Sequence, residues 1–147
     1  MKYLLLAATG FGILIAVWLF SPWLLSPAKQ PVAVINGHEL GLQVVRTPEE
    51  QSVGLSGRES LAENAGMLFV YKKPFIPGFW MPDMRFSIDI IWIDKNRKIV
   101  GIEDNVAPQT YPDIFQPSLP VLYVLEVNAN WAKNHNISIG DEVMLTP

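Results

Sequence analysis

Three charged residues stand where they could do chemistry together: Arg58, Asp83 and Asp89. Asp89 sits inside Ser87-Ile88-Asp89-Ile90-Ile91-Trp92-Ile93, a run of β-branched and aromatic residues that reads as a mostly buried strand. Side chains alternate along a strand, so Asp89 shares a face with Ile91 and Ile93. A carboxylate placed there needs donors, a cation or a metal. Asp83 lies just before the strand, and Arg58 falls on a short helical turn upstream. Two readings follow. In one, Arg58 neutralises Asp89 through a bidentate ion pair that fixes the turn on the sheet. In the other, two carboxylates and a guanidinium line a pocket that binds a ligand or works as acid and base, as in a hydrolase.

Trp80 and Met81 stand between Pro77 and Pro82, on a stretch that cannot be central sheet because Pro82 has no N–H for a ladder. They either plug the end of a barrel or form an exposed aromatic platform for a sugar or peptide. Met81 and Met84 place two thioethers three residues apart. Thioethers suit Cu(I), but Met67 and His38 would have to converge on them, and methionine is ordinary core filler. His38 and His135 are far apart and form no His-x-x-His pattern, so both read as exposed loop residues and no zinc site is assigned. Ser56 and Ser60 lie near Arg58 without a Gly-x-Ser-x-Gly elbow. No catalytic residue, metal or cofactor is assigned; the candidate ligand-binding residues are Arg58, Trp80, Met81, Asp83 and Asp89.

Seven short strands could position these residues. Val32–Ile35, Asn36-Gly37 and His38–Arg46 read as a hairpin with a type I′ turn. Thr47-Pro48-Glu49-Glu50 is a capping box with proline at the first helical position, and Gly54 stops that helix. Ser56-Gly57-Arg58-Glu59 repeats the capping pattern and predicts a second helical turn through Leu61. Met67–Tyr71 is a further strand, and Lys72–Gly78, with two prolines, a loop. After the strand bearing Asp89, a polar turn at Asp94–Arg97 returns the chain through Lys98–Glu103 as an antiparallel partner. Asn105–Pro120 is a long proline-rich loop of the kind that covers sites. Val121–Val127 is buried strand, Asn128–Asn136 a helical turn, and Ile139–Leu145 a turn and closing strand. The fold class is all-β or β-dominated: a compact sandwich or barrel of about seven strands with one or two short helices.

The chain has 147 residues and no cysteine, which excludes disulfides, thiolate metal sites and a cysteine nucleophile. Residues 3–25 carry no charge and follow Lys2; as a helix the stretch nearly matches a bilayer core, with Trp18 and Trp23 suited to the far interface. Residues 1–28 are therefore read as a membrane anchor with a cytoplasmic N-terminus, or as a signal segment cleaved near Ser26-Pro27-Ala28, which would leave a secreted domain. Residues 29–147 form one extracytoplasmic domain. Without Lys2 the eleven basic residues become ten, against fourteen acidic ones, a net charge of −4; nucleic acid is not an expected partner.

Thr47-Pro48-Glu49-Glu50, Gly54-Leu55, Arg58-Glu59-Ser60-Leu61, Gly66-Met67-Leu68-Phe69, Phe79-Trp80-Met81, Ile88-Asp89-Ile90, Tyr123-Val124-Leu125-Glu126 and Gly140-Asp141 follow one another in an order and spacing that resembles the domain of unknown function 192 family. The resemblance spans about Val34 to Leu145. It implies a compact β-rich domain, often found behind an export signal, and implies no reaction. Where the family commonly has a lysine, a polar residue and a threonine after Phe-Trp-Met, this chain has Pro82, Asp83 and Met84. The expected function is non-catalytic binding of a small ligand, glycan or envelope protein by a membrane-tethered domain. The alternative is a hydrolase using Asp83 and Asp89 with Arg58.

Overall fold

The computed structural model describes residues 30–146. The apolar segment at residues 3–25 lies outside the described residues, and no helix among those described is long and apolar enough to cross a membrane.

The fold starts from a hairpin. β1 (Val32–Ile35) turns at Asn36 and Gly37, both at positive φ as a type I′ turn requires, and returns as β2 (His38–Val45). β3 (Ala65–Phe75) pairs in parallel with β2, so the chain must cross over between them, and that crossover carries α1 (Pro48–Val53). The Thr47 hydroxyl accepts the Glu50 amide at 3.2 Å, while the Glu50 carboxylate accepts the Thr47 and Arg46 amides at 3.0 and 2.9 Å. These bonds hold Glu50 below the usual carboxylate range. Gly54, at φ +51, ends the helix. The repeated capping pattern at Ser56–Glu59 does not open a second helix. Gly57 adopts φ +74 and donates its amide to Asp83, which diverts the chain.

β4 (Ile88–Ile93), β5 (Ile99–Val106), β6 (Val121–Asn128) and β7 (Val143–Thr146) complete one seven-stranded sheet in the order β5-β4-β6-β3-β2-β1-β7. α2 (Trp131–Asn134) is a single helical turn before β7. β3 runs four residues past the expected end, through Lys72 and Pro74 to Phe75. A register shift between Val70 and Phe75 lets this proline-bearing tail rejoin β6.

The sheet is single and curled, a half-barrel rather than a two-sheet sandwich. Its two edges approach at one end, where Lys98 bridges Glu142 and backbone bonds run from Ile99 to Asp141, Gly140 to Ile99, and Val143 to Arg97. Both faces of the central strands are buried. All seven strands send residues into one cluster, including Ile35, Leu40, Ile91, Ile93, Ile99, Leu125 and Val143, with Trp131 and Ala132 of α2 packed in. The opposite face of β3, β4 and β6 forms a second cluster around Met67, Phe69, Ile90, Trp92 and Val124. It is covered by Leu55, Phe79 and Met81 from segments outside the sheet. Burying each such side chain contributes about 1.5–3 kcal/mol, so the covering segments are held by apolar contact before any polar bond is counted.

Candidate functional site

The second cluster is incompletely covered, and the gap is a cleft of about 340 Å³. One wall is α1 and the turn after it, from Pro48 to Ser56; the other is the stretch Pro77–Met84. Its floor is β3 and β6, through Phe69, Tyr71, Phe75 and Glu126. The second wall is pinned at three points. Phe79 exchanges backbone bonds with Phe115 at 2.9 and 2.7 Å, the Ser56 hydroxyl donates to the Pro82 carbonyl at 2.8 Å, and the Gly57 amide donates to the Asp83 carbonyl at 2.9 Å. The first wall is tied to the floor by the Gln51 side chain, which donates to the Val70 carbonyl at 3.1 Å. Phe79 packs edge-on against Phe69 and Trp92, with ring centroids 4.9 and 5.4 Å apart. The cleft is therefore bounded by fixed segments and is formed before anything enters it.

Trp80 and Met81 both line this cleft, and they divide the two roles expected of them. Met81 is buried in the second cluster; Trp80 is 48% exposed, an indole on the rim. Met84 also lines the cleft. Met67 is buried in the second cluster, whereas His38 sits at the far hairpin, so these residues do not converge on one metal position.

Asp89 is elsewhere. It is fully buried and accepts three backbone amides: Asn105 and Asn130 on Oδ1 at 2.8 and 2.9 Å, and Ala132 on Oδ2 at 3.0 Å. The need for partners anticipated from its apolar run is met by main chain and not by Arg58. The Arg58 guanidinium donates instead to the Gln43 side chain at 2.6 Å. Asp83, at φ +51, is exposed beside the cleft wall and is not part of the lining. The expected ion pair and the expected carboxylate pair are both corrected by this geometry. A strand side chain sealed under β5 and α2 cannot share an open pocket with a rim residue.

Of the histidines, His38 is exposed as expected, though as the first residue of β2, whereas His135 is half-buried at the end of α2. The rings of His38 and His135 lie 4.4 Å apart, and His135 stacks on Trp131 at 4.6 Å with Nδ1 2.8 Å from the Trp131 carbonyl oxygen. No group of three or more metal-ligating side chains of the His, Cys, Asp or Glu type occurs among the described residues.

Glu126 was not singled out as a site residue from sequence. It lies on β6 opposite Met67 of β3 and Ile90 of β4, which directs it to the cleft face of the sheet. It is 7% exposed, and its Oε2 has no hydrogen-bond partner among the described residues. Trp92 Nε1 shares that condition but is packed beneath Phe79, away from the opening. Burial pushes the Glu126 carboxyl up to about 8, against a smaller opposing pull from Arg58. Burial likewise raises the Tyr71 phenol above its ordinary range, with a further contribution from Glu126. The signal was present in the sequence: Val124-Leu125-Glu126-Val127 places a carboxyl in an apolar strand just as Ile88-Asp89-Ile90 does.

A family model for DUF192, described as "Uncharacterized ACR", matches residues 32–145. The chain belongs to this family. No curated protein matches. Solved structures similar in fold include two of particular note. One, described as a "putative transcription regulator" from Sinorhizobium meliloti 1021, is 27% identical with a TM-score of 0.73, over 79% of this chain and 92% of that one. The other, a protein of unknown function from Novosphingobium aromaticivorans DSM 12444, is 29% identical with a TM-score of 0.72, over 78% of this chain and 83% of that one.

Proposed function

We propose that this DUF192 domain is a non-catalytic binding module whose cleft between α1 and Pro77–Met84 takes a small, largely apolar ligand, and that residues 3–25 tether it to a membrane with the domain outside. The observation that carries the reading is a half-exposed Trp80 over a pinned apolar cleft with a buried carboxyl in its floor, one oxygen of which has no hydrogen-bond partner among the described residues. Apolar walls with one or two placed polar groups are the usual make-up of a small-molecule site. The hydrolase alternative finds no such support, because both Asp89 oxygens are occupied by amides and Asp83 lies outside the lining. The tether rests on the uncharged length of residues 3–25 and the lysine before it.

The test is thermal unfolding and tryptophan emission of the full chain against a panel of sugars, cell-wall fragments and small amphiphiles. A ligand at 100 times its dissociation constant adds about 2.7 kcal/mol, a shift of several degrees. The expected outcome is a hit that moves Trp80 emission and is weakened when Ser52→Trp fills the cleft mouth. A panel that shifts neither melting nor emission removes the reading.

A further inference from the structure

We propose that the ligand of this cleft is a small organic ammonium ion, its charge set against Glu126 and its carbon substituents against the aromatic rings of Tyr71, Phe75, Phe79 and Trp80. The inference deepens the binding reading above and rests on it.

The charge of the lining selects among ligand classes. Among the described residues, Glu126 and Tyr71 are the ionisable side chains of the lining, and no lysine, arginine or histidine lines the cleft. An anion would find no cation to meet it. A neutral apolar ligand would leave Glu126 Oε2 as unsatisfied as it is now, and such a group costs about 1–3 kcal/mol. A cation in the cleft compensates the charge of an ionised Glu126 carboxylate, and aromatic faces add to its hold: an ammonium near a ring is worth about 0.5–2 kcal/mol depending on desolvation. Trp80, the best ring type for this purpose, packs against no other aromatic ring within the described residues, and stands at the mouth. The edge-on pair Tyr71–Phe75, with centroids 4.6 Å apart and planes at 90°, presents rings in two orientations along the floor. Bare ammonium or a metal ion would not use these apolar walls, so the ion must carry methyl or ring substituents.

Among the described residues, Arg58 is the charged side chain bearing on Glu126. It lies on the turn after α1, makes no ion pair with Glu126, and is committed to Gln43 on the neighbouring strand. From β3 and β4, the residues opposite Glu126 are Met67 and Ile90, both uncharged, and Tyr71 keeps its proton through the working range. Glu126 is therefore the group whose charge changes on binding. In the empty cleft it holds a proton near neutral pH. A cation stabilises the carboxylate, so binding expels that proton, and affinity rises with pH until the carboxyl is already ionised.

The experiment compares benzyltrimethylammonium with neopentylbenzene, its uncharged carbon isostere, by melting shift and tryptophan emission on the full chain in maltoside micelles, with empty micelles as the blank. At pH 9 the cation is expected to bind at least about tenfold tighter than the isostere. Below about pH 8 its affinity falls roughly tenfold per pH unit, while the isostere's affinity stays level. Glu126→Gln removes the preference and the pH dependence and retains the isostere. If that variant does not fold, the wild-type pH series decides alone. Equal, pH-independent binding of both probes overturns the ammonium assignment and leaves the cleft as an apolar site. Cation binding that ignores both pH and Glu126→Gln overturns the role of Glu126. Binding of neither probe overturns the inference, and the broader ligand panel then tells whether the cleft reading falls with it.

Discussion

Asp89 and Glu126 are buried carboxyls on adjacent central strands, β4 and β6, within one sheet. They sit on opposite faces and meet opposite fates. Asp89 receives three amides, from the end of β5 and the entry to α2, and each is a charge-assisted bond at 2.8–3.0 Å. Glu126 has a sealed oxygen with no hydrogen-bond partner among the described residues, and its side chain lines the cleft. Burial alone therefore says little about what a carboxyl is for. A carboxyl whose donors come from its own main chain stitches elements together. One that lines a cleft floor with an oxygen unclaimed by the main chain is available to a ligand.

The largest effect is expected where the stitching is cut. Asp89→Ala orphans three amides, one of them fully buried, and removes the two bonds that hold the start of α2 to the sheet. At about 1–3 kcal/mol for each unsatisfied group, the variant should lose about 4 kcal/mol in urea unfolding, with the unfolding slope unchanged. Asp83→Asn should stay within about 0.5 kcal/mol of wild type, because its side chain is exposed and asparagine tolerates positive φ. Equal midpoints for the two variants would remove the distinction between a stitching carboxyl and a rim one.

Glu126 should behave in the opposite sense. Its carboxyl lies near 8 in the folded chain against an ordinary value of 4.5. The folded state thus holds a proton that the unfolded state has released. Stability from this group is fully present below 4.5 and is lost as pH rises through 8. Relative to Glu126→Gln, which cannot ionise, wild type should lose up to about 1.4 kcal/mol per pH unit across that window, and the difference should level off on either side. Unfolding midpoints at pH 5, 6, 7, 8 and 9 for both proteins measure it (roughly one-unit steps across the expected window). Parallel curves would mean that Glu126 is satisfied in solution and that the cleft does not hold an unpartnered acid.

Much of this architecture was legible in the residues. The Asn36-Gly37 turn, the Thr47–Glu50 capping box, the Gly54 stop and the seven strands all carry local signals, and local signals survive tertiary packing. Four things did not carry, the first being the capping pattern at Ser56–Glu59, where Gly57 at φ +74 diverts the chain. The single curled sheet depends on a β2–β3 parallel pairing between distant segments, which no local pattern encodes. The tail of β3 crosses Pro74 because a register shift beside it tolerates a missing donor. The Arg58–Asp89 pairing failed because amides of β5 and the α2 entry, invisible as donors in a list of side chains, reached Asp89 first. Glu126 was readable by the argument applied to Asp89, but its importance rests on the cleft that its side chain lines, which only the folded chain shows.

The smallest effect separates the rim of the cleft from its core. Trp80 is large, yet nearly half its surface already faces solvent and its ring packs on no other aromatic among the described residues. Trp80→Ala should therefore change stability by no more than about 0.5 kcal/mol, as for surface residues in general. If indole is instead a keystone of the fold, the loss would approach the 3–5 kcal/mol typical of a core aromatic. Urea unfolding at pH 7 distinguishes the two. A folded, near-wild-type Trp80→Ala protein that no longer responds to a cleft ligand would place the indole with Glu126, as a residue kept for contact with something else. Asp89, by contrast, is kept for the chain itself.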